Sequence, residues 1–128
     1  MIYIYTLIPL IVLDAIWLTL MGSHYRTWLS QVFAPSVSVI PIIIFYPLYA
    51  LGIVFLVLRP AMQSGALWWH VLLMGMFLGL IAYGAYDLTN QATIKDWPWY
   101  VTVIDMAWGA VVTGAASGIA VLLSRFVS

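Results

Sequence analysis

The chain alternates long apolar runs with short polar interruptions, and the runs have the length of membrane crossings rather than of core helices. A helix needs about 20 apolar residues to cross the hydrocarbon of a bilayer. The stretches that meet that length run from about Tyr3 to Gly22, Val39 to Leu58, Leu67 to Leu88 and Trp99 to Leu123. The second is expected to stop at Arg59-Pro60, because proline has no N–H with which to continue a helix. Pro98 suits the first turn of the fourth. The runs are too long and too little alternating for barrel strands. A helix satisfies its backbone hydrogen bonds within one segment, as lipid demands. The pattern predicts an all-α integral membrane protein, a single domain over residues 1–128 built as a bundle of four transmembrane helices.

Composition sharpens this picture. The chain is 66% apolar and 6% charged, against about 25% charged residues in an average soluble domain. So few charges cannot clothe a water-facing surface, and membrane lipids become the expected neighbours. The net charge is zero and no basic patch exists, which excludes nucleic acid as a partner. The absence of cysteine excludes disulfides, thiolate metal sites and cysteine nucleophiles. The first residues, up to Ser23, lack a basic n-region and an A-x-A-like cleavage site and carry Asp14 inside the apolar run. They read as a retained first helix.

Polar and aromatic residues mark the ends of the runs. Ser23 to Ser38, with His24, Tyr25, Arg26 and Trp28, is expected to form a short helix lying on the membrane. Trp68 and Trp69 open the third helix, and Trp97, Trp99 and Tyr100 the fourth, as indole and phenol rings favour the headgroup zone. Pro9, Pro41 and Pro47 fall inside the first two helices, where membrane proteins tolerate proline. Arg59 and Arg125 share the side of the termini, and Arg26 and Lys95 lie opposite, so the balance of basic residues does not set the orientation.

The candidate chemistry lies in the acids, all of them aspartate. Asp96 sits in a connector, where a solvated or helix-capping role suffices. Asp14 lies about 12 Å before Gly22 and Asp105 about 9 Å after Trp99, with Asp87 at the end of the third helix. Those ends face one side, so all of these carboxyls belong to the same half of the bilayer. Asp14 to Trp17 and Asp105 to Trp108 both read Asp-x-x-Trp, which puts carboxyl and indole on one helical face. Tyr46 and Tyr49 sit on the second helix, and Tyr83, Asp87 and Asn90 share a face of the third.

Aspartate facing lipid at mid-helix costs about 2.5–3.5 kcal/mol, so these side chains are expected to turn inward. The expected site is a ligand-binding pocket lined by Asp14, Trp17, Tyr46, Tyr83, Asp87, Asn90, Asp105 and Trp108, with Arg26 as the nearest counter-ion. The competing reading is a hydrogen-bonded seam that only holds helices together, at about 0.6 kcal/mol per contact. Three aspartates with His24 would suit a hard cation, but no ligand-spacing motif supports a metal site, and His70 lies on the other side beside Trp69. No cofactor loop or nucleophile–base pair occurs. Gly75-x-x-x-Gly79 and Ala110-x-x-x-Gly114-x-x-x-Gly118 are small-residue seams. They serve packing of the last two helices or association of two copies equally well.

The stretches Leu13 to Leu18, Ala82 to Thr93 and Trp97 to Gly109 resemble the small bacterial membrane proteins of domain of unknown function 2177. The resemblance covers nearly the whole chain. Tyr86-Asp87-Leu88-Thr89-Asn90 and Asp105-Met106-Ala107-Trp108-Gly109 are its most specific parts. It implies a multi-pass protein of the bacterial inner membrane, with cytoplasmic termini and the aspartate side facing the periplasm. It supplies no activity, cofactor or catalytic residue. The chain departs from the family in having no basic residue before Arg26.

Three functions remain open. The first is binding or transport of a small polar or cationic ligand, a lipid headgroup or a proton. The second is an accessory subunit of a larger membrane complex. The third, with least support, is a lipid-modifying enzyme.

Overall fold

The structure, a computed structural model, describes residues 1–32 and 38–127. Its long helices are α1 (Ile2–Trp28), α2 (Val39–Ser64), α3 (Trp68–Thr93) and α4 (Trp99–Val127), and all four are long and apolar enough to cross a membrane. At about 1.5 Å per residue each is close to 40 Å long, more than the roughly 30 Å of hydrocarbon in a bilayer. No strand occurs among the described residues.

All four helices run past the ends expected from sequence, α3 to Thr93 rather than Leu88 and α4 to Val127 rather than Leu123, and the first two do so with consequences for the site. Helix α1 does not break at Ser23 into a surface segment but continues to Trp28. A helix that has left the hydrocarbon loses nothing by carrying His24 and Arg26, so polar residues there need not end it. Beyond Trp28, residues 29–32 of that expected surface helix form turns, and residues 33–37 lie outside the described residues. Helix α2 runs through Pro60 to Ser64. Val54–Leu58 form a π turn, and the Arg59 N–H reaches back to the Val54 carbonyl. The widened turn absorbs a residue just before Pro60, which then sits in the first turn of a fresh α segment, where its missing N–H is tolerated.

The turns between helices use local chemistry. Gly65 takes a left-handed conformation at φ 66°, as a helix-ending glycine does. Arg125 of α4 ties this turn down by donating from Nη2 to the Ala66 carbonyl at 2.8 Å. Asp96 is also left-handed, at φ 62°, and turns the chain from α3 into Trp97-Pro98 and α4.

The small-residue seams are used inside the chain. Helices α3 and α4 form the most extensive interface. A Cβ added at Gly75 would stand 2.9 Å from the Thr113 carbonyl, and one at Gly79 would stand 2.7 Å from Thr113 Oγ1. Packing is then uneven along the bundle. Away from the aspartates, Leu10, Ile53, Val57, Leu58, Val71, Val112 and Ala116 form a dense apolar core. Toward the aspartate end the buried cluster is Tyr25, Trp97 and Val101.

Helix α2 follows the same division. Ala50, Ile53, Val54, Val57 and Leu58 are buried, whereas Val39 to Leu48 are exposed except for the half-buried Tyr46. Its second half therefore docks on the bundle, and its first half stands away from α3 and α4.

Candidate functional site

Asp14 is the point where three helices meet. The Trp108 indole of α4 donates from Nε1 to Asp14 Oδ1 at 2.8 Å. The Tyr46 hydroxyl of α2 donates to Oδ2 of the same carboxyl. Trp17, one turn along α1, stacks flat on Trp108 with centroids 4.4 Å apart and 5° between planes. The two Asp-x-x-Trp motifs thus cross-pair: the carboxyl of one takes the indole N–H of the other, and the two indoles stack.

Asp105 finds its partner in a residue outside the expected site. The Tyr25 hydroxyl donates to Asp105 Oδ1 at 2.7 Å. Tyr25 is itself buried and stands edge-on to Trp17 and Trp28. The α1 face Asp14, Leu18, Gly22, Tyr25 has the spacing of one helical stripe. That stripe was the available signal for Tyr25; reading the segment after Gly22 as a surface helix hid it.

Asp87 lies behind Asp105 and is fully buried. Neither of its carboxyl oxygens accepts a hydrogen bond from a donor among the described residues, and its polar neighbour is the Asp105 carboxyl. An unpaired polar group in such a place is costly and calls for an explanation. Below it, Trp97 Nε1 donates to Thr102 Oγ1 at 3.1 Å and closes that end of the α3–α4 pair.

These groups surround a cavity of about 540 Å³, lined by Asp14, Trp17, Tyr25, Tyr83, Asp105 and Trp108, with Arg26 also on its wall. A second hollow of about 350 Å³ lies between α2 and α3, walled by Phe45, Tyr49, Ala82, Tyr83 and Tyr86, and also bounded by Asp105. Tyr49 is held by a 2.7 Å hydrogen bond between its hydroxyl and that of Thr113.

Of the residues expected from sequence, Asp14, Trp17, Tyr83, Asp105 and Trp108 line the larger cavity. Tyr46 is tied to Asp14 without lining it, and Asp87 is enclosed behind. Asn90 is not brought into the group: it lies one turn past Tyr86, half-buried, outside both hollows. The candidate metal ligand His24 packs its ring against Trp28 at 5.4 Å, and His70 packs against Trp69 at 5.8 Å. Among the described residues no cluster of three or more His, Cys, Asp or Glu could hold a metal.

Chemically, the cavity offers carboxyl oxygens as acceptors and indole and phenol rings as walls. Carboxylates attract cations strongly where water is thin, and aromatic faces add to that attraction. Among the described residues that line it, the basic side chain an anion would meet is Arg26.

A family model described as predicted membrane protein (DUF2177) matches residues 1–122. That span contains every residue of the cavity. No curated protein and no solved structure matches the chain.

Proposed function

The chain belongs to the DUF2177 family of predicted membrane proteins, and on that footing we propose that its acidic, aromatic cavity binds an organic cation, an amine above all, inside the membrane. The observation that carries the reading is a cavity of about 540 Å³ with carboxyls contributed by different helices on its wall. A seam whose only task is to hold helices together would close on itself. Here the Trp108, Tyr46 and Tyr25 donors hold Asp14 and Asp105 at the edge of an open space. Contacts worth about 0.6 kcal/mol each do not offset carboxyls that cost a few kcal/mol each to bring into the bilayer. A ligand with positive charge and N–H donors would offset that cost.

The cellular setting belongs to the same proposal. The protein sits in the bacterial inner membrane, its termini cytoplasmic and its cavity in the periplasmic half. The test of function is calorimetric. The full chain in phosphatidylcholine nanodiscs is titrated with ethylamine, and Asp105→Asn is compared with wild type. Binding should weaken at least about ten-fold in the variant, equivalent to about 1.4 kcal/mol. Ethylamine binding that is absent from wild type, or unchanged in Asp105→Asn, overturns the reading.

A further inference from the structure

We infer that the ligand is an amphipathic primary amine that enters sideways from the bilayer, with its ammonium at Asp105 and its alkyl chain in the slot between α2 and α3. This rests on the cation-binding reading above and specifies its substrate class.

The slot follows from how α2 packs. Its second half is anchored by the buried Ile53, Val57 and Leu58, while Val39 to Leu48 stand exposed around nearly the whole helix. Helices α2 and α3 therefore part toward the aspartate end. The space between them is the hollow of about 350 Å³ walled by Phe45, Tyr49, Ala82, Tyr83 and Tyr86. Phe45 and Tyr49 stack at 5.2 Å and form one smooth side. Such walls suit a hydrocarbon chain and offer little to a hydrated ion.

The slot does not end blindly. Asp105, Tyr83 and Tyr86 line both it and the larger cavity, so one carboxyl is common to the two hollows. A molecule with a cation at one end and a chain at the other fills both at once. A small cation arriving from water would need only the larger cavity, and an uncharged lipid would leave the carboxyl unused.

The shared carboxyl narrows the headgroup. Asp105 is on the wall of both hollows, with the buried carboxyl of Asp87 behind it. A primary ammonium carries three N–H donors, as the lysine side chain does, and can donate to Asp105, which a quaternary ammonium, with none, cannot.

The experiment uses the full chain in phosphatidylcholine nanodiscs, with empty nanodiscs subtracting bilayer partition. The ligands are ethylamine, dodecylamine and dodecyltrimethylammonium. Ala82→Phe fills the slot and keeps every carboxyl, and Phe45→Trp does so from the opposite wall should the first variant fail to fold. Blocking the slot should weaken dodecylamine at least about ten-fold and leave ethylamine unchanged. Dodecyltrimethylammonium should bind wild type at least about ten-fold more weakly than dodecylamine. If ethylamine binds and the blocked slot leaves dodecylamine unaffected, sideways entry is wrong while the cation site stands. If no amine binds wild type, both readings fall. Equal binding of the quaternary ligand overturns the choice of a primary amine.

Discussion

Trp108 of α4 donates its indole N–H to Asp14 of α1 at 2.8 Å while its ring lies flat on Trp17, the residue one turn from that same aspartate. One side chain thereby orients a carboxyl and covers it. Asp14 is buried, and a buried carboxyl that loses a donor is costly. Trp108→Phe keeps a stacking ring and deletes the N–H. We expect a loss of about 0.6 kcal/mol, and no more than about 1.7, as such contacts show in membrane bundles. Unfolding in mixed micelles measures it, and a cycle with Asp14→Asn should assign most of the loss to this pair. A cost no larger than that of Phe126→Leu, at an exposed position, would remove the contact from the account.

The α3–α4 seam gives a sharper contrast. A Cβ at Gly79 would overlap the Gly109 carbonyl and stand 2.7 Å from Thr113 Oγ1, whereas one at Gly52 meets nothing within 4 Å. Backbone on the far side cannot move aside as a flexible side chain can. Gly79→Ala should cost about 1–3 kcal/mol, as overpacking does. Gly52→Ala should be neutral or stabilising by up to about 1 kcal/mol, because alanine loses less freedom in a helix. Equal effects at the two positions would mean that the helices do not touch where the structure puts them together.

Much of the architecture was legible because lipid imposes simple rules. Run length located the crossings, and helix rise alone put Asp14, Asp87 and Asp105 at one end. The partners were not legible. Spacing tells which face of α1 carries Asp14 and Trp17, but not that Trp108 of the other motif completes the site. Tyr25 was hidden because polar neighbours such as His24 and Arg26 suggested that the helix had ended. Yet Trp28 lies about 21 Å along the axis from Asp14, and Val39 only about 10 Å from Tyr46. With Tyr46 bound to Asp14, α1 projects beyond the start of α2, and Tyr25 can reach Asp105 from there. The π turn before Pro60 and the parting of α2 from α3 both depend on packing, which hydrophobic pattern does not encode.

Orientation can be checked directly because the chain has no cysteine of its own. Ser30 follows α1 at the aspartate end, and Gln63 lies in the last turn of α2 at the other end; both are exposed. Single variants Ser30→Cys and Gln63→Cys should react with an impermeant maleimide from opposite faces. In intact spheroplasts we expect Ser30→Cys to label and Gln63→Cys to label only after permeabilisation. The reverse pattern would put the cavity in the cytoplasmic half of the bilayer. Labelling of both from one face would mean that α2 does not cross.

Tyr25→Phe separates a binding cavity from a structural seam most cleanly. The substitution removes the hydroxyl that donates to Asp105 at 2.7 Å and keeps the ring that packs against Trp17 and Trp28. Either reading expects the variant to lose about 1–2 kcal/mol of stability, since the carboxyl is left short of a donor. They part company when ethylamine is added. In a seam, amine has no place to bind and the loss persists. In a cavity, the ammonium takes over the vacated acceptor and no longer competes with the phenol for it, so affinity should rise as intrinsic stability falls. Ligand present at about 100 times its Kd adds about 2.7 kcal/mol to the folded state. At one fixed ethylamine concentration the stabilisation should therefore be larger in Tyr25→Phe than in wild type, read as the rise in thermal midpoint in nanodiscs. An equal or smaller rise in the variant would mean that the amine does not meet Asp105.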